Sequence, residues 1–82
     1  MITIHYLAKL ADLVGIAEEQ IDWAGGSSDD LVAYLRARDE TWNTALSPAN
    51  LYKIALNNTI IYAAKPIADG DVVALLPPVT GG

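Results

Sequence analysis

Asp69-Gly70-Asp71-Val72-Val73-Ala74-Leu75-Leu76-Pro77-Pro78-Val79-Thr80-Gly81-Gly82 is the last stretch of the sequence, and the architecture turns on where its apolar middle goes. A glycine between two aspartates makes a turn. The run 72–76 is apolar throughout, as suits a strand buried on at least one face. The paired prolines have no N–H to give a sheet ladder, so they end it. If this strand pairs with the one at the opposite end of the chain, the two form the middle of a mixed sheet.

Going back to that opposite end, residues 1–7 alternate, with Ile2, Ile4 and Tyr6 on one face and Thr3, His5 and Leu7 on the other, the period of a half-buried strand. Leu10, Leu13 and Val14 recur at helical spacing and stop at Gly15, which predicts a short helical turn. In 19–24, Ile21 and Trp23 alternate with Gln20 and Asp22 before Gly25-Gly26, so a second strand, hairpin-paired to the first, is expected there. Ser27-Ser28-Asp29-Asp30 starts a helix, because a serine oxygen caps free backbone N–H groups and early aspartates favour the positive end of the dipole. Leu31, Tyr34 and Leu35 give that helix, over about 28–38, one apolar stripe. No other long helix is expected: 39–50 contains Pro48 and reads as irregular, with Trp42 and Leu46 pinning a short turn to the core. Residues 51–56 and 59–62 read as strands joined by Asn57-Asn58, since asparagine tolerates positive φ. Pro66 breaks the pattern. The result is an α+β domain over 1–76, a mixed sheet with one main helix on one face, followed by a flexible extended tail over 77–82. With the first and last strands paired at the centre it is a β-grasp, ubiquitin-like fold; strand order is the step that sequence leaves open.

Composition narrows the function. Eighty-two residues make one small domain, and 52% hydrophobic content supplies its core. Ten acidic side chains against five basic ones give a net charge of −5. Lys9, Arg36, Arg38, Lys53 and Lys65 are scattered among twice as many carboxylates, the opposite of the basic stripe that nucleic acid requires. There is no cysteine, hence no disulfide, thiolate nucleophile, persulfide or cysteine metal ligand. No apolar run approaches the ~20 residues of a membrane span, and the start lacks the pattern of a signal peptide. A cytoplasmic protein is expected, without membrane or nucleic-acid partners.

The catalytic inventory is nearly empty. His5 is the only histidine and reads as a surface or interface residue. Asp69 and Asp71 form a turn and lack the further ligands of a metal site, so no metal is expected. Asp29 and Asp30 serve the helix start, and Glu18-Glu19 reads as a solvated charged segment. The tail is different. Extended at ~3.3 Å per residue, 77–82 reaches ~20 Å. Gly81 and Gly82 have no Cβ and fit a channel too narrow for side chains. What arrives at its end is the α-carboxylate of Gly82, a poor electrophile that needs activation. The chain has no phosphate-binding Gly-x-x-x-x-Gly-Lys loop, so a partner enzyme must activate it.

Leu56-Asn57-Asn58-Thr59-Ile60, then Pro66-Ile67-Ala68-Asp69-Gly70-Asp71-Val72-Val73, and finally Pro77-Pro78-Val79-Thr80-Gly81-Gly82 resemble the small sulfur-carrier subunits of molybdopterin synthase, the MoaD-like branch of the ubiquitin-like sulfur carriers. Tyr6-Leu7-Ala8, Leu13-Val14-Gly15 and Trp42 extend the resemblance over essentially the whole chain. Leu75 and Leu76 depart from it, standing where aromatic residues are common.

The resemblance implies a carrier cycle. A ubiquitin-activating-like adenylyltransferase uses ATP to adenylate Gly82, and a sulfurtransferase system converts it to a thiocarboxylate. The tail residues Pro77, Pro78, Val79, Thr80 and Gly81 then insert into the large synthase subunit, where sulfur passes to cyclic pyranopterin monophosphate. The carrier binds no cofactor and is not an enzyme alone; the catalytic pocket belongs to the large subunit of a heterotetramer. Alternation sends Leu7 and Leu76 to the sheet face opposite the helix, and Ile60 matches the remaining apolar position of the family's partner surface. Two rivals share the fold: a carrier for thiamine or another pathway or a ubiquitin-like protein modifier, and a β-grasp interaction module with an incidental tail.

Overall fold

The computed structural model describes residues 1–47 and 52–77. In β1 (Ile2–Tyr6) the predicted alternation holds: Ile2, Ile4 and Tyr6 are buried while Thr3 and His5 are only partly covered. A strand with one apolar face needs a layer over it, and α2 (Ser28–Arg36) supplies Leu31 and Leu35, both buried. Fully burying such side chains favours folding by roughly 1.5–3 kcal/mol each. Leu10, Trp42, Leu46, Ile67, Val73 and Leu75 complete the same core.

The remaining elements are α1 (Lys9–Val14), β2 (Glu18–Ile21), α3 (Glu40–Ala45), β3 (Lys53–Leu56), β4 (Thr59–Ile61) and β5 (Val72–Leu76). Five strands form one sheet in the order β2-β1-β5-β3-β4. The open step is thereby closed: β5 runs parallel to β1, pairing Ile4 with Val73 and Tyr6 with Leu75. On its other side β5 lies antiparallel to β3, pairing Leu75 with Ile54 and Ala74 with Ala55. First and last strands at the centre of a mixed sheet, with helices on one face, make the β-grasp fold that the sequence predicts.

The start of α2 follows the sequence closely. Ser27 Oγ accepts the Asp30 N–H at 3.2 Å and the Asp30 carboxylate accepts the Ser27 N–H at 2.8 Å, a reciprocal cap that satisfies two otherwise unpaired donors. Gly26 precedes it at φ 135°, and a Cβ there would meet Asp30 Oδ2 at 3.0 Å and the Trp23 ring at 3.2 Å. Glycine is required on both counts.

Several expectations change. Residues 39–50 are not simply irregular, because α3 occupies 40–45. Asp39 accepts the Trp42 N–H at 3.1 Å and so caps a helix whose inward face is Trp42, Ala45 and Leu46. The spacing that reads as a pinned turn is a short apolar stripe, so α2 is the longest of three helices among the described residues. Next, β2 stops at Ile21 instead of Ala24, because β1 begins at Ile2, the partner of Ile21, and leaves nothing for 22–24 to pair with. Lastly, α2 ends at Arg36, with Ala37 as its cap, and β4 ends one residue early at Ile61. Leu51, expected to open β3, lies outside the described residues, as does Pro48.

Candidate functional site

The helices cover one face of the sheet and leave the other open. Register places on the open face Glu18 and Gln20 from β2, Thr3 and His5 from β1, Val72, Ala74 and Leu76 from β5, Lys53 and Ala55 from β3, and Ile60 from β4. Its centre is apolar. Leu7 continues the β1 ladder, its N–H donating to the Leu75 carbonyl at 3.0 Å, so it stands next to Leu76 and is 43% exposed. Ala8 then turns the chain sharply, at φ 52° and ψ −126°, while Leu10 N–H closes on the Leu7 carbonyl at 3.1 Å. The turn diverts the backbone into α1 and leaves the Leu7 side chain on the face. Leu76 and Ile60 are half-buried, Ile60 two strands further across. All three interface candidates thus share one surface.

Pro77, directly after β5, is half-buried and marks where the chain leaves the sheet. Pro78, Val79, Thr80, Gly81 and Gly82 lie outside the described residues.

The other candidates resolve into structural roles. Asp71 accepts the Ala68 N–H at 2.8 Å and the Asn57 amide at 3.1 Å, and these bonds hold its carboxyl below the usual range. Asp69 pairs with the Met1 ammonium. Among the described residues no group of three His, Cys, Asp or Glu could hold a metal. His5 Nδ1 lies 3.4 Å from Glu18 Oε1 at the β2 side of the open face.

Glu19 is no solvated charge. The Tyr6 hydroxyl donates to it at 2.6 Å, and Arg38 donates through both terminal nitrogens at 2.8 and 2.9 Å. Burial alone would push this carboxyl up, but the hydrogen bonds from Arg38 and then Tyr6 outweigh it and hold Glu19 below the usual range. Burial, and then the bond to Glu19, pushes the Tyr6 hydroxyl far up, so it stays a donor. The Arg38 guanidinium lies 4.6 Å from the centre of the Trp42 ring and 5.6 Å from that of Tyr34, joining β1, β2, α2 and α3 at one point. The signal was available: Glu19 is in phase with Ile21, so alternation turns it inward.

Sequence reasoning also missed Lys53, whose ammonium lies 5.2 Å from the centre of the Tyr62 ring beside the apolar centre of the open face. No spacing rule joins these two; they meet through the β3–β4 ladder.

Comparison with known proteins agrees with this geometry. The molybdopterin synthase sulfur carrier subunit of Escherichia coli K12 is 33% identical over 82 residues, the full length of both chains. Among solved structures, a putative molybdopterin converting factor subunit 1 from Pyrococcus furiosus superposes with a TM-score of 0.77 at 26% identity, covering 95% of this chain and 97% of that one. A complex of subunits 1 and 2 of the molybdopterin-converting factor from Helicobacter pylori contains a chain matching at TM-score 0.68 and 26% identity, covering 99% and 97% respectively. The ThiS family profile matches residues 4–82, tail motif included. With β-grasp topology, an open apolar sheet face and a match running from β1 through the terminal glycines, the chain belongs to the ThiS family.

Proposed function

We propose that this chain is the sulfur carrier subunit of a molybdopterin synthase, with Gly82 as its working end. The observation that carries this is the end-to-end match to the Escherichia coli carrier subunit, together with a family match that runs through residue 82. In the proposed cycle an adenylyltransferase joins the Gly82 carboxylate to AMP, using ATP and releasing pyrophosphate. A sulfurtransferase system delivers sulfur at the sulfide level, which attacks the acyl carbon, displaces AMP and leaves Gly82 as a thiocarboxylate. The tail 77–82 then enters the large subunit, sulfur is transferred to cyclic pyranopterin monophosphate, and water cleaves the acyl–sulfur bond to return the carboxylate. The absence of cysteine fits a carrier whose sulfur comes from outside. The chain itself supplies a docking face and a slender arm; it binds no cofactor, and the pocket belongs to the large subunit. The Helicobacter pylori complex of two subunits supports such a partner. A heterotetramer working in the cytoplasm completes the proposal. No helix among the described residues is long and apolar enough to cross a membrane.

Mass spectrometry of the intact protein from its native host is the test. Replacement of one oxygen by sulfur at Gly82 is the expected result. An isopeptide adduct would make the chain a modifier, and an unmodified terminus in cells actively making molybdopterin would reduce it to an interaction module.

A further inference from the structure

Charge on the open face is sorted by strand. Glu18 stands at the β2 edge, paired with His5. Lys53 stands on β3, where it pairs with Leu76. Three strand spacings separate β2 from β3, which is roughly 14 Å at ~4.8 Å each. Between them lie Leu7, Ala74 and Leu76.

Lys53 is unusual among the basic residues. Arg38 is consumed by Glu19, and Arg36 donates to Asn43 at 3.0 Å. Neither Lys9 nor Lys65 lies on the open face. All ten acidic side chains belong to described residues, and none lies within ion-pairing distance of Lys53. Among the described residues, in a chain of net charge −5, its ammonium therefore pairs with no side-chain carboxylate and rests against Tyr62, which is 83% exposed. A cation over an aromatic ring is held in place while its remaining donors face outward. Its strand neighbour Leu76 is the last residue before Pro77, so this charge stands at the root of the tail.

We propose that Lys53, positioned by Tyr62, is a specificity residue of the sheet face and takes a carboxylate from the large synthase subunit, at the rim of the apolar contact. This rests on the functional reading above and adds to it the chemistry of the partner's surface: an apolar wedge with an acidic residue on the side facing β3. Negative charge at one edge and positive charge toward the other allow one docking orientation and penalise its reverse, so the wedge and the tail enter in register.

Titration of the purified large subunit from the same organism with wild type and single variants of the full chain, Lys53→Arg and Tyr62→Ala included, tests this. The other variants are Lys53→Met, Lys53→Glu and Leu76→Asp, and each is first confirmed as folded by thermal melting. Lys53→Met is expected to weaken binding several-fold and to flatten its dependence on salt. Lys53→Glu should weaken it by on the order of tenfold or more, mainly through slower association, and Lys53→Arg should restore it. Tyr62→Ala should give a smaller loss with the salt dependence retained. Wild-type affinity for Lys53→Glu, alongside lost binding for Leu76→Asp, would overturn the role of Lys53 and leave the apolar face standing. Wild-type affinity for Leu76→Asp would remove the face itself, and Lys53 with it.

Discussion

Glu19 couples stability to pH. Its carboxyl is held below the ordinary value only in the folded state, so the stability it contributes is fully present above the unfolded value, about 4.3, and is lost as pH falls through the folded one. Glu19→Gln should cost about 2 kcal/mol near neutral pH, the scale of hydrogen bonds to a charged group. The gap between variant and wild type should close as the solution is acidified below pH ~4, which denaturant melts across that range would follow. An unchanging gap would mean that the lost contacts act through packing alone. Ala8 offers the opposite case: at φ 52° and ψ −126° its Cβ is strained in a conformation suited to glycine. Ala8→Gly should therefore raise the melting temperature or leave it unchanged, despite glycine's greater unfolded-state entropy. Of these two residues the sequence could have disclosed the inward phase of Glu19, whereas its partner Arg38 lies 19 positions away and meets it only through the fold.

Between elements, the tightest junction is the β3–β4 turn. Asn57 and Asn58 sit at φ 50° and 70°, both positive as a two-residue hairpin turn demands. The Asn57 side chain also reaches the next junction, donating to Asp71 at 3.1 Å and accepting the Val72 N–H at 2.9 Å. The two asparagines are therefore unequal. Asn58→Gly should stabilise by a few tenths of a kcal/mol up to about 1, while Asn57→Ala should destabilise by about 1–2 kcal/mol by losing side-chain bonds and straining the backbone. Denaturant midpoints for both variants check the asymmetry. The turn, the cap of α2 and the span of β5 were all legible because each has a local chemical cause. Residues 39–45 were not, since α3 has a single turn and a half of apolar spacing and needs Asp39 and the waiting core to form.

Across the whole molecule, the proposed function divides between the open sheet face and the C-terminal residues 77–82. The topology was legible only as a conditional, because pairing β1 with β5 joins chain segments about as distant as the sequence permits. Alternation placed Leu7 and Leu76 on the open face and the family resemblance pointed to Ile60, but Lys53 and Tyr62 required the observed ladder. Deleting Gly82, or extending the chain beyond it, should leave the melting temperature unchanged and abolish thiocarboxylate formation; a tagged protein that restored molybdopterin synthesis with its tag intact would refute the carrier cycle. Gly81→Val should likewise reduce adenylation or sulfur transfer without destabilising the fold, because a β-branched side chain widens and stiffens the arm. Turnover at the wild-type rate in a reconstituted synthase would argue against a narrow channel. The central position of β5 also bears on how the protein is made. Without 72–76 the sheet divides into β2-β1 and β3-β4, two-stranded ribbons of marginal stability. A nascent chain has no complete sheet to adopt until translation has passed Leu76, and a product cut short upstream stays open to proteolysis. Folding thus certifies that synthesis has passed β5, and a partner that recognises the assembled sheet meets few chains lacking that central strand.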